Sequence, residues 1–256
     1  GMETIGIESA AVVAERLREA GISSGLTTRN VVEQVALKFG ASLSHVTVSN
    51  YEKAAGSYPS VAMLTMLAEI YERPLTWFLE RSRPLAGVRY RQTSSRVLVR
   101  ERQQFELRSQ HLLEGYVRLE RRLGNDLVAT HPISPSFAKL EPADLAAKVR
   151  DLLNCGPDEP IYSVVEVLEA FGVRVIELPC EARIDGLAAR FGNEHVVVLH
   201  PSAANARCRL NAGHELGHVL SGDCDARGKS VRSMDDRAFE FGFNLLLPPR
   251  QLEKAF

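Results

Sequence analysis

Apolar residues in the first eighty positions recur at helical spacing, in short bursts separated by turn formers. Ala10, Val13, Leu17 and Ala20 mark one face of a helix that ends ahead of Gly21. A second helix, capped at Thr27 or Thr28, carries Val31, Val32, Val35, Leu37 and Phe39 to Gly40, and a third covers about 44–52. Ser57-Tyr58-Pro59-Ser60 reads as a turn and helix start before Val61, Leu64, Leu67, Ala68 and Ile70, with a last short helix around Trp77-Phe78-Leu79. The pattern predicts a compact all-α module over 9–80.

Farther along, the rhythm lengthens. Leu98, Phe105, Leu112 and Leu119 recur at every seventh position, with Tyr116 and Leu123 beside them. This predicts one long helix whose narrow stripe packs on its own domain or on a second copy in a homodimer. His131-Pro132-Ile133-Ser134-Pro135 breaks the pattern, so 81–135 reads as an Arg-rich linker and long helix. Mixed α/β character follows over 141–256: helices over 143–153 and 162–171, then strands over 173–178, 186–191 and 195–199. The last two strands are joined through Gly192-Asn193-Glu194 as a hairpin.

Composition narrows the setting. No apolar run approaches the about 20 residues needed to span a bilayer, and nothing resembles a secretory leader, so no membrane partner is expected. Gly1 before Met2 reads as a tag remnant. Cys155, Cys180, Cys208 and Cys224 form no C-x-x-C pair, which fits reduced thiols in the cytoplasm. The net charge of -1 hides an asymmetry. Acids outnumber bases over 2–80, whereas Arg81, Arg83, Arg89, Arg91, Arg96, Arg100, Arg102 and Arg108 face mainly Glu101 and Glu106. That run is either a solvated surface or a source of phosphate attraction.

The sharpest chemical signal is His214-Glu215-Leu216-Gly217-His218. Residues four apart lie one turn above each other on a helix, so His214 and His218 can face one ion while Glu215 reaches a water on it as general base. A hydrolytic zinc (Zn2+) site takes three protein ligands and leaves a position open. Asp235, Asp236 and Glu240, in the acid-rich start of a helix closing in Leu245-Leu246-Leu247-Pro248-Pro249, compete for the third place. The alternative for each is a surface charge or an acid favoured at a helix N-terminus. His195 and His200 could line the cleft, Arg209 reads as fold support, and Cys224 as a buried free thiol.

Over about 141–256 the chain resembles the ImmA/IrrE family of regulatory zinc peptidases. That family carries Arg-x-x-x-Ala-His-Glu-x-x-His on one helix and Glu-x-x-Ala-Asn-x-Phe-Ala on the next, which closes in Leu-Leu-Met-Pro. Arg209, His214, Glu215, His218, Ala238, Phe241 and Leu245-Leu246-Leu247-Pro248 occupy matching positions, preceded by Leu168-Glu169-x-Phe171-Gly172-Val173-x-Val175 and Asp185-Gly186-Leu187. The resemblance implies an α+β, zincin-like fold with a small β-sheet, zinc-dependent hydrolysis with Glu215 as base, and a repressor-type protein substrate. It places the third ligand at Asp235, with Asp236 as the alternative, and an aspartate is one methylene shorter than the family's glutamate. Phe239 replaces the Asn and Gly213 the Ala.

Residues 9–80 resemble the lambda-repressor-like, Cro-type helix-turn-helix family through 35–40, 48–53, Pro59-Ser60 and Leu64-x-x-Leu67-Ala68. The resemblance implies double-stranded DNA as a partner, with His45, Thr47, Ser49, Asn50 and Lys53 on the helix entering the major groove and Thr28 and Arg29 near the backbone. Together the two modules suggest a cytoplasmic transcriptional regulator. A module that senses a ligand without cutting protein, or an antitoxin-like partner that does not bind DNA, are the other readings.

Overall fold

A computed structural model describes residues 2–92, 97–157, 159–180, 184–201, 205–227 and 232–247, with side chains from residue 9 onward except Gln92. The chain divides into two compact units. One comprises Gly1–Arg83 with Val99–Arg108, the other Pro84–Leu98 with Ser109–Phe256.

The first unit is helical: α1 (Met2–Ser24), α2 (Thr28–Phe39), α3 (His45–Glu52), α4 (Val61–Ile70) and a 3-10 turn at Leu75–Leu79. Its starts follow from local chemistry. Thr27 caps α2 in a reciprocal box with Asn30, and Ser44 and Ser60 accept from Thr47 and Met63 backbone N–H groups. Gly40, at φ 63°, closes α2. The helix expected to stop before Gly21 instead runs through it to Ser24. Gly21 serves packing: a Cβ there would meet Glu52 Oε1 at 3.0 Å, and the left-handed turn falls at Gly25. Leu17, Val31, Val35, Val48, Leu64, Leu67, Trp77 and Phe78 form the core.

The second unit is built on a four-stranded sheet of order β1-β3-β4-β2, with β1 (Leu85–Gln92), β2 (Val173–Glu177), β3 (Ile184–Phe191) and β4 (Glu194–Leu199). The β1/β3 and β3/β4 pairs are antiparallel, and β2/β4 is parallel. Helices α6 (Pro142–Leu152), α7 (Val164–Ala170), α8 (Asn205–Leu220) and α9 (Arg232–Leu246) complete it, and Ala212, Leu216, Val219 and Leu220 of α8 share a core with Val173, Ala188 and Val197 of the sheet. Strand β1 falls in the stretch read from sequence as a linker. Its alternation is obscured by the irregular register at Gly87 and by Arg89, a charged residue that points inward.

Helix α5 (Val99–Leu123) contributes to both units. Its buried face runs through Phe105, Ser109, Leu113 and Val117, whereas Leu112, Tyr116, Leu119 and Leu123 of the expected stripe are exposed. Within the second unit, Glu120 near its end pairs with buried Arg174 of β2, which also reaches Glu194 at 3.2 Å. Arg96, Pro248 and Pro249, singled out in the sequence, lie outside the described residues.

Candidate metal centre

Helix α8 is buried along its whole C-terminal half, from Asn211 to Leu220. Its burial is made possible by small residues: a Cβ on Gly213 would meet Gly242 Cα at 3.2 Å, and one on Gly217 would meet Ala238 Cα at 2.9 Å. The two helices therefore touch backbone to backbone at two levels one turn apart, through 213 and 217 of α8 and 238 and 242 of α9. This contact brings the first turn of α9 against the histidines.

His214, Glu215 and His218 are fully buried, and their ligand atoms gather within 4.8 Å of one another. The two imidazoles stand edge to face, 4.7 Å between centroids. Asp235 Oδ1 lies 3.0 Å from His214 Nε2 and 3.6 Å from His218 Nε2. Two ligands about 2.0–2.1 Å from a tetrahedral zinc sit about 3.4 Å from each other, so this spacing fits a shared ion. Two buried polar atoms at the centre also lack hydrogen-bond partners: His218 Nε2 and Glu215 Oε2. Buried polar atoms are seldom left so without a reason, and a metal and its water would satisfy both.

Of the three competing acids, only Asp235 reaches the histidines among the described contacts. Asp236 is turned toward solvent and pairs with Arg232 at 3.7 Å, and Glu240 is exposed. The missing methylene of Asp235 is offset by the close approach of α9, which Gly213 and Gly242 allow. Phe239 is exposed, with the Arg91 guanidinium 5.4 Å from its ring centre.

Sequence reasoning missed Asp223. Its carboxylate accepts from His218 Nδ1 at 2.7 Å, and its backbone N–H returns to the His218 carbonyl at 3.0 Å. Gly222, at φ 75°, closes α8 and folds Asp223 back onto it. A carboxylate on Nδ1 fixes the ring so that Nε2 faces Asp235, the kind of support that metal-bound histidines commonly have. The glycine four positions beyond the motif was the available signal, but which side chain follows it back to the helix is decided by the turn itself.

These contacts shift the protonation of the metal-free centre. Burial pulls His218 down, but its hydrogen bond to Asp223, the Asp235 carboxylate 3.6 Å away and the charge of Glu215 outweigh it and raise it to about 9. Burial likewise opposes protonation of His214, and Asp235 and Glu215 more than offset it. The hydrogen bond from His214, then the nearby His218 ring, hold Asp235 well below the usual carboxylate range.

The remaining sequence candidates have other engagements. His195 Nε2 stands 3.4 Å from Asp225, and His200 bonds the Cys180 carbonyl at 2.8 Å. Arg209 donates to the carbonyls of Ile161 and Tyr162, tying α8 to the segment before α7. Cys224 is buried, and burial pushes its thiol far up. In the first unit, Arg29, His45 and Lys53 are exposed and Thr28, Thr47, Ser49 and Asn50 partly so, at the start of α2 and along α3. Lys38 is paired with Glu69 at 2.8 Å.

Residues 168–256 match the model of the Peptidase_M78 family, described as an IrrE N-terminal-like domain. The match spans β2, β3, β4, α8 and α9 and excludes β1, α5 and α6. No curated protein and no solved structure matches the chain. The second unit thus contains a peptidase-like module of the ImmA/IrrE type. Among the described residues, no helix is long and apolar enough to cross a membrane.

Proposed function

We propose that this chain is a transcriptional regulator whose second unit is a zinc-dependent peptidase-like module acting on a repressor-type protein, and whose first unit binds double-stranded DNA. The observation that carries the proposal is the convergence of His214 Nε2, His218 Nε2 and Asp235 Oδ1 beside the unpartnered Oε2 of Glu215. His214, His218 and Asp235 would hold the ion, with Asp223 setting the His218 ring. Bound zinc supplies Lewis acidity, which polarises a carbonyl and makes a water acidic near neutral pH. Glu215 takes up the proton at Oε2 and delivers it to the leaving amine. Its burial keeps bulk water from competing for that transfer.

The test is metal content and hydrolysis together. Wild type and Glu215→Gln should each hold about one zinc per chain, His214→Ala should lose it, and Glu215→Gln should slow hydrolysis of the repressor partner by about 100-fold or more. Wild type that takes up no zinc on reconstitution would overturn the reading.

For the first unit, support comes from the exposed Arg29, His45 and Lys53 around α3 and from the helix-turn-helix resemblance of 9–80. A homodimer formed through the exposed α5 stripe belongs to the same proposal and is read from the sedimenting mass. One observation favours a second reading, a ligand-sensing module: a cavity of about 650 Å³ between α6, the turn at 154–157 and Asn244 of α9. Full zinc occupancy with no turnover on any protein partner would favour it.

A further inference from the structure

Arg89 of β1 lies outside the segment matched to the peptidase family and is 1% exposed. A buried guanidinium needs acceptors in the protein, and here its Nε and Nη2 both donate to the Asp223 carbonyl, at 2.9 and 2.6 Å. Nη2 also donates to the Ala226 carbonyl at 3.0 Å. The strand comes this close because residue 87 is a glycine. Its φ is +59°, and a Cβ there would stand 1.8 Å from the Cys224 carbonyl oxygen. The middle of β1 is thus pressed against the turn that follows α8, at the carbonyls of Asp223, Cys224 and Ala226.

Asp223 is the residue whose carboxylate holds His218. A carbonyl gripped from one side and a backbone N–H bonded to His218 from the other leave the Asp223 Cα–Cβ direction little freedom. The carboxylate, one bond beyond, inherits that restraint.

We propose that Arg89 is a positioning residue for the metal centre: from the edge strand β1 it fixes the Asp223 peptide, and through Asp223 it fixes the orientation in which His218 meets the metal. The proposal rests on the zinc reading of His214, His218 and Asp235. It implies that residues 168–256 alone do not make a fully ordered centre, because one of its supports arrives from outside them.

The experiment measures zinc affinity of the full chain by competition with a chromophoric chelator, and cobalt(II) absorption as a reading of ligand geometry. Asp223→Asn should weaken zinc by about 10- to 100-fold. Arg89→Gln and Arg89→Lys should each weaken it by about 10-fold and alter the cobalt spectrum, since neither side chain reproduces two parallel N–H donors. In an Asp223→Ala background, Arg89→Gln should add less than about twofold, because the path it acts through is gone. Gly87→Ala pushes the same turn without changing charge and should repeat the Arg89 effect if Arg89→Gln does not fold. Arg89 variants with wild-type affinity and spectrum, or losses that multiply in the double variant, would overturn the proposal while leaving the zinc reading intact. Wild type without zinc would overturn both.

Discussion

Gly242 of α9 lies so close to Gly213 of α8 that a Cβ on it would stand 2.8 Å from the His214 backbone nitrogen. Neither helix can add a methyl at this level without separating. The distance between the helices is the distance across which Asp235 must reach, so packing and the proposed metal binding are set by the same contact. Gly242→Ala is expected to destabilise the fold by about 1–3 kcal/mol through overpacking and to weaken zinc by about 10-fold, of the order seen when a ligand's supports are disturbed. Urea unfolding of the metal-free protein and chelator competition read the two effects separately. Unchanged zinc affinity in a folded variant would show that Asp235 does not depend on this approach.

The choice among acids gives a second prediction. Asp235→Asn should weaken zinc by at least about 10-fold, while Asp236→Asn, whose partner is the exposed Arg232, should change affinity by less than about twofold. Equal losses at both positions would mean that the acids share the role.

These two neighbours also show what the sequence could tell. His214, Glu215 and His218 are legible because four residues make about one turn, a relation fixed within one helix. Asp235, Asp236 and Glu240 of α9 remain equivalent until the helix is docked, and docking is decided by Gly213, Gly217, Ala238 and Gly242. Asp223 and Arg89 were illegible for the same reason: their roles arise from contacts across a turn and across 134 positions of the chain. In α5 the apolar count did not reveal the face buried within the chain, since beside Phe105 that face includes Ser109, Gln110, His111 and Glu114, which no hydrophobic period would choose. The helices of the first unit were easier, because Thr27, Ser44, Ser60 and Gly40 announce their ends locally.

Protonation of the metal-free centre predicts an unusual pH dependence. His218 is raised from 6.5 to about 9, so its folded form binds the proton more tightly than the unfolded chain does. Its contribution is full below about pH 6.5 and is lost as the pH rises through about 9. Asp235, depressed, contributes above its ordinary value and loses that contribution in acid. The metal-free Tm should therefore fall between about pH 6.5 and 9, and His218→Gln should flatten that fall. Zinc affinity should move the other way, rising with pH over the same interval because the imidazole must shed its proton to bind. A metal-free Tm that climbs across this range would contradict the pairing of His218 with Asp223 and Asp235.

For the first unit, Arg29→Gln and Lys53→Gln should each weaken DNA binding about equally on all sequences and reduce the salt slope by about 1. Ser49→Ala and Asn50→Ala should relax sequence preference instead. Binding that is absent even at low salt would leave the helical unit as a protein-contact module.

The pairing of β1 with β3 also sets an order of events during synthesis. Gln92 and Ile184 are about 90 residues apart, so at about 5 to 20 residues per second the ribosome delivers β1 roughly 5 to 20 s before its partner exists. For that interval the strand is an unpaired edge, the kind of segment that joins neighbouring chains. Arg89 and Arg91 are charges of the kind that discourage such pairing, so arginines that make β1 read as part of an Arg-rich linker also suit a strand that must wait for its partner.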